Sequence, residues 1–119
     1  MSIETLLQRI QSNNPFVTAI AVVDQDGSVE AGQMEGSWIA AATALLVPLR
    51  ELLDRTGTEL GCGPFTSTLF EGGDASLALA DVDGASSVLV LGSTHAPGGA
   101  LLEDARWVAS QLQSEEFPA

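Results

Sequence analysis

The stretch FVTAIAVVDQDGSVEAGQ (residues 16–33) decides the fold. Phe16 to Asp24 alternates as an extended chain with apolar side chains on both faces. Phe16, Ile20 and Val22 point one way, and Val17, Ala19, Ala21 and Val23 the other, so this strand belongs in the middle of a sheet. Asp26-Gly27 is a hairpin turn, because glycine takes a positive φ without steric cost. Ser28 to Gln33 then returns as a second strand, more polar and weakened by Glu30 and Gly32.

Upstream, Ile3, Leu6, Leu7 and Ile10 fit the i, i+3, i+4, i+7 spacing of a helix that Ser2 can cap and Asn13-Asn14-Pro15 ends. Downstream, the longest helix is expected from about Ser37 to Thr56, closed by Gly57 as a left-handed cap and kinked or weakened at Pro48. Phe65 to Glu71, Ala75 to Val82 and Ser87 to Ser93 read as three further strands. Gly72-Gly73-Asp74 and Asp83-Gly84 are the turns between them. A last helix runs from about Gly99 to Gln113, with Leu101, Ala105, Val108 and Leu112 on one side. The order α-β-β-α-β-β-β-α implies an α+β sandwich, a five-stranded antiparallel-type sheet with helices packed on it. The first and fifth strands are the most apolar and should be central, and the second and third the edges. The expected strand order is 2-1-5-4-3.

This pattern resembles the roadblock family, named for a dynein light chain, in its branch of bacterial regulators of Ras-like GTPases. The resemblance covers Ile3 to about Gln113. It rests on the element order, on AIAVVDQDG (residues 19–27), on the Ala-rich helix that begins SWIAAATALL (residues 37–46), and on SVLVLG (residues 87–92) followed by a short amphipathic helix. Pro48 and the weak second strand depart from the usual picture. The resemblance implies a profilin-like or roadblock sandwich without enzymatic activity of its own. It further implies homodimers or heterodimers that serve as scaffolds for a small GTPase or for signalling or motor components.

Composition narrows the alternatives. The 119 residues are expected to form a single domain, with its core at about residues 3–113 and a short acidic tail carrying Glu115-Glu116. Sixteen acidic residues face four arginines and no lysine, for a net charge of −12. Such a surface repels phosphate backbones and anionic lipid headgroups, so neither a nucleic acid nor a membrane is expected as a partner. No apolar run approaches the ~20 residues needed to span a bilayer. Met1-Ser2-Ile3-Glu4 has neither the basic start nor the apolar run of a secretory leader, and the expected location is cytoplasmic. Cys62, the single cysteine, excludes an internal disulfide and a multi-cysteine zinc site.

The chain offers little catalytic chemistry, and no catalytic residue, cofactor site or metal site is assigned. His95 lies in Ser93-Thr94-His95-Ala96-Pro97 with no nucleophile motif around it, and Cys62 is read as a passive loop thiol. Asp24-x-Asp26-Gly27 and Asp81-x-Asp83-Gly84 suggest calcium loops. However, the earlier ligand positions hold Val22 and Leu79 and the later ones Gln33 and Val90, so both are read as turns. Gly98-Gly99 is read as a turn at the start of the last helix, since no lysine is present to complete a phosphate loop.

What remains is surface. In the long helix, Arg50, Glu51, Asp54 and Arg55 form a polar stripe that becomes Ala40, Thr43, Ala44 and Val47 towards the N-terminus. Trp38, Ala42, Leu45, Leu49 and Leu52 are expected to cover the sheet. A helix apolar all round is buried on a second side, and the third strand has no lysine, proline or bulge to protect its edge. The expected dimer interface is therefore Ala40, Thr43, Ala44, Val47, Thr66 and Thr68. Trp107, among Glu103, Arg106, Ser110 and Gln111 on the polar side of the last helix, is the expected partner contact unless Phe117-Pro118 covers it. Whether Arg9, Arg50, Arg55 or Arg106 reaches into a partner's active site is left open. The alternative function is a small-ligand-sensing domain of profilin-like or PAS-like shape, against which the Ala, Val, Leu and Ile interior argues for a filled core. A hydrolase using His95 and Cys62 is the weakest reading.

Overall fold

The structure is a computed structural model and describes residues 2–33, 36–93 and 95–114, with the side chains of residues 33, 36–39, 42 and 43 outside that description. Along the described residues the order is α1 (Ile3–Asn13), β1 (Val17–Val23), β2 (Val29–Gln33), α2 (Gly36–Glu59), β3 (Ser67–Glu71), β4 (Ala75–Asp81), β5 (Ser87–Ser93) and α3 (Gly98–Gln113). The strands form one antiparallel sheet in the order β2-β1-β5-β4-β3, as expected. The most apolar strands, β1 and β5, lie side by side at its centre.

Capping and turn chemistry follow the residues closely. Ser2 accepts a hydrogen bond from the Thr5 N–H at 3.1 Å and starts α1. Asn14 ends it by accepting from the Phe16 N–H, while its amide donates to Asp104 of α3 at 3.0 Å. The Asp24 carboxylate accepts from the N–H groups of Asp26 and Ser28, and Gly27 turns the chain with φ 86°.

The sheet is covered on both faces. On one, Ile20, Val22, Ala78, Ala80, Val88 and Val90 meet Leu6, Leu7 and Ile10 of α1 and Leu101, Ala105 and Val108 of α3. On the other, Ala21, Val23, Leu79 and Leu89 meet Leu46 of α2 and Phe65, with Leu53 and Leu77 at the margin. The alternation within β1 has one break. Val17 pairs with Gly92 and Ala19 with Leu91, so Thr18 is an extra residue in the ladder. This bulge turns Val17 towards Ile20 and Val22, opposite to the expected face.

Two boundaries also differ from expectation. The third strand begins at Ser67, because the Phe65 N–H is taken by the Asp54 carboxylate at 2.8 Å and its ring is buried beneath α2. The long helix passes through Pro48 and continues to Glu59, so Gly57 is not its cap. The positive φ angles belong to Gly61 (77°) and Gly63 (84°). Gly57 serves a close approach instead. Its carbonyl accepts from the N–H groups of Cys62 and Gly63, and a Cβ there would lie 2.2 Å from the Gly63 oxygen.

Candidate interaction surface

The orientation of α2 decides which surface is presented. Leu46, Arg50 and Leu53 follow one another at helical spacing, and all three turn inward. Arg50 donates through Nη1 to the Ser86 carbonyl at 2.8 Å and to Ser87 Oγ at 2.5 Å, and through Nη2 to the Asp81 carboxylate. Its guanidinium carbon lies 5.5 Å from the centre of the Phe65 ring. Asp81 also accepts from the Gly84 N–H, which sets it towards the cation. With the charge paired and three of its N–H groups donated, an arginine can face the sheet at reduced cost.

That arrangement overturns the expected lining of α2. Leu52 is 59% exposed and does not cover the sheet, whereas Leu45 (65% exposed) and Leu49 (36%) overhang it across a crevice rather than packing tightly on it. Reading arginine as an outward residue rotated the helix away from its true setting; Trp38 and Ala42, expected on the same side, lie outside the described side chains. Of the expected interface residues, Ala40, Ala44 and Thr66 are exposed and Val47 and Thr68 half-buried, while Thr43 lies outside the described side chains. Thr68 and Phe70 pair with Leu79 and Leu77, which puts them on the α2 side of the sheet. Phe70 is 66% exposed, and among the described residues β3 pairs with β4 alone, which leaves its outer edge open there. The apolar spacing of Leu45, Leu49 and Leu52 was visible in the sequence; the signal that would have turned it outward, the pairing of Arg50 with Asp81, was not.

Between the first half of α2 and the sheet lies an apolar crevice of about 170 Å³, walled by Ala41, Leu45 and Leu49 above and Ala19, Leu77 and Leu91 below. The expected filled interior of Ala, Val, Leu and Ile is present in both core clusters, and the crevice is a gap among the described residues beside the second.

The remaining residues singled out by sequence fall elsewhere. Trp107 is 39% exposed beside Glu103, Arg106 and Ser110, with Leu101, Ala105, Val108 and Ala109 buried beneath, as the helical wheel requires. Phe117 and Pro118 lie outside the described residues. Arg50 is held within its own chain by Asp81, Ser86 and Ser87, and Arg106 donates to Ser67 Oγ at 3.0 Å. Arg9 and Arg55 are exposed and have no ion pair among the described residues. His95 and Cys62 are exposed. Asp83 accepts from the N–H groups of Ala85 and Ser86, a turn arrangement in which the Ser86 N–H above all holds the carboxyl below the usual aspartate range. Among the described residues no helix is long and apolar enough to cross a membrane.

No family model matches the chain. None of the curated proteins matches it either. Solved structures do. A Roadblock/LC7 domain from Streptomyces avermitilis superposes with a TM-score of 0.81 at 16% identity, covering 95% of this chain and 96% of that one. MglB from Myxococcus xanthus gives a TM-score of 0.80 at 15% identity, covering 93% and 91%. Profilin II from Acanthamoeba castellanii follows at 0.70 and 15%, covering 98% and 100%. With the sheet order, the two-sided helix cover and these superpositions together, the chain has the fold of the Roadblock/LC7 domains, which profilins share more distantly.

Proposed function

We propose that this protein is a non-enzymatic, cytoplasmic scaffold that works as a homodimer and binds a small Ras-like GTPase or an associated signalling or motor protein. The observation that carries the reading is the apolar surface of Leu45, Leu49, Leu52 and Phe70 beside the open edge of β3. A second copy pairing there is a self-complementary, two-fold contact. The GTPase follows from the family resemblance, and the fold shared with MglB supports it. One structure of that kind, from Thermus thermophilus, is described as a gliding protein. Fold alone does not assign a partner, so the test is direct.

Light scattering at micromolar concentration should give the mass of two chains, and Ala44→Glu should return it to one by placing a charge in the interface. Purified protein should neither bind nor hydrolyse GTP, and should change nucleotide turnover by a Ras-like GTPase of the same cell. A single-chain mass at high concentration removes the dimer, and stoichiometric nucleotide binding removes the scaffold.

The crevice beneath α2 favours a second reading, a sensor for a small apolar ligand. Among the described residues its walls offer no polar group to orient such a ligand, and binding pockets ordinarily carry a few.

A further inference from the structure

Leu45, Leu49 and Leu52 repeat, one residue earlier, the spacing of Leu46, Arg50 and Leu53. Turning α2 by one residue step, about 100° with a slide of about 1.5 Å, would set each of these leucines where a residue of the second group now stands. The two faces differ at one position, where the first offers leucine and the second arginine. Apolar burial by itself favours the all-leucine face against the sheet. The structure has the other. Leu46 and Leu53 pack in the second core, while Leu52 is left exposed. Between them the Arg50 side chain is 11% exposed, donates to Asp81, the Ser86 carbonyl and Ser87 Oγ, and lies over the Phe65 ring. All four partners belong to the strands or to the segments joining them, so they are fixed independently of how the helix is turned. In the turned setting Leu49 would stand over Asp81 and the fully buried Ser87, and both would lose this donor.

We propose that Arg50 selects the rotational setting of α2. Paired with Asp81, it outweighs the more apolar face and keeps that face from packing on the sheet. A single buried polar residue fixes the register of coiled coils by the same trade, at a cost in stability. The selection is made within one chain and holds whether or not a second copy covers the leucines.

Thiol labelling below the concentration of self-association tests this, in a Cys62→Ser chain that carries either Leu52→Cys or Val47→Cys. Position 52 is exposed and position 47 half-buried in the present setting. Arg50→Met with Asp81→Asn removes both charges, and the new amide still offers an oxygen to the Gly84 N–H. The released helix should turn its leucine face inward. Labelling at position 52 should slow by ~10-fold or more, because the thiol then reacts only through local opening. Labelling at position 47 should quicken, since the same turn carries it towards solvent. Unchanged rates overturn the proposal, because Leu46, Leu53 and Asp54 would then set the helix without Arg50. Faster labelling at both positions also overturns it, as a helix merely loosened by the lost bonds. Should the double variant fail to fold, Leu52→Glu is added, since a carboxylate bars the turned setting and costs little where Leu52 now stands. Recovered folding supports competition between the two faces, and no recovery overturns it.

Discussion

On the α1/α3 face of the sheet, Leu6, Ile20, Val90, Leu101 and Val108 are at most 1% exposed. Across the same sheet, Leu45, Leu49 and Leu52 of α2 face solvent, and a crevice separates part of that helix from the strands. The strands contribute similar apolar residues to both sides, so the difference lies in the helices. α1 and α3 present continuous apolar stripes, and burial at roughly 25 cal/mol per Å² holds them. Among its described side chains, α2 is held at intervals, by Leu46, by Leu53 and by a paired arginine. One face is closed, and the other leaves apolar side chains exposed, the surface that the proposed second copy would cover. Contiguous exposed apolar patches of this kind mark interaction sites.

Truncation on each face should separate these roles most strongly. Leu101→Ala should cost about 2–5 kcal/mol in urea unfolding, the range for emptying a packed core position. Leu52→Ala, at an exposed position outside the crevice, should stay within about 0.5 kcal/mol when measured below the concentration of self-association, and should weaken dimer formation. Equal losses from the two changes would erase the distinction between the faces.

The polar seam of α2 gives the next effect. Asp54→Ala leaves the Phe65 N–H without its acceptor and should cost about 1–3 kcal/mol, the penalty for an unsatisfied, partly buried donor. Asp54→Asn keeps an acceptor oxygen at the same reach and should recover most of the loss. If alanine and asparagine behave alike in denaturant unfolding, the seam does not hold α2 in place.

How much of this could be read in advance depends on the range of the interactions. The strand order was legible because β1 and β5 are apolar on both faces, and the turns because Asp-Gly pairs act within four residues. The α3 faces followed from its period alone. The setting of α2 did not, because Arg50 turns inward only in response to Asp81, thirty-one residues later and reached through the fold. Gly57 was misread for a similar reason. A glycine near a helix end suggests a cap, whereas its need here comes from the returning carbonyl of Gly63. The bulge at Thr18 has no local marker, since the alternation on either side of it is intact. The exposed apolar surface was legible as a surplus of apolar residues on one helix, but which of them faced outward was not.

The smallest effect lies in the β4–β5 turn that Arg50 grips. Asp83 there accepts from the N–H groups of Ser86 and Ala85, and Arg50 nearby adds a weaker attraction. These hydrogen bonds favour the ionised carboxylate and hold its pKa below the ordinary 3.8, against a partial opposing effect of desolvation. The unfolded chain therefore binds the proton more readily than the folded one. The contribution to stability is complete above the unfolded pKa and is lost as pH falls through the folded value. The window lies below about pH 4. Asp83→Asn keeps an oxygen that can accept the same N–H groups but cannot ionise. Unfolding free energies of the two proteins, compared at fixed salt, should differ by a constant amount from pH 7 to pH 5, in favour of aspartate. The gap should then narrow between pH 4 and pH 2. Because Asp83 is exposed, the gap should be a small fraction of the Leu101→Ala effect. A gap that widens on acidification would mean that the folded chain holds the Asp83 proton more tightly than the unfolded one, and that the turn is not built around its charge.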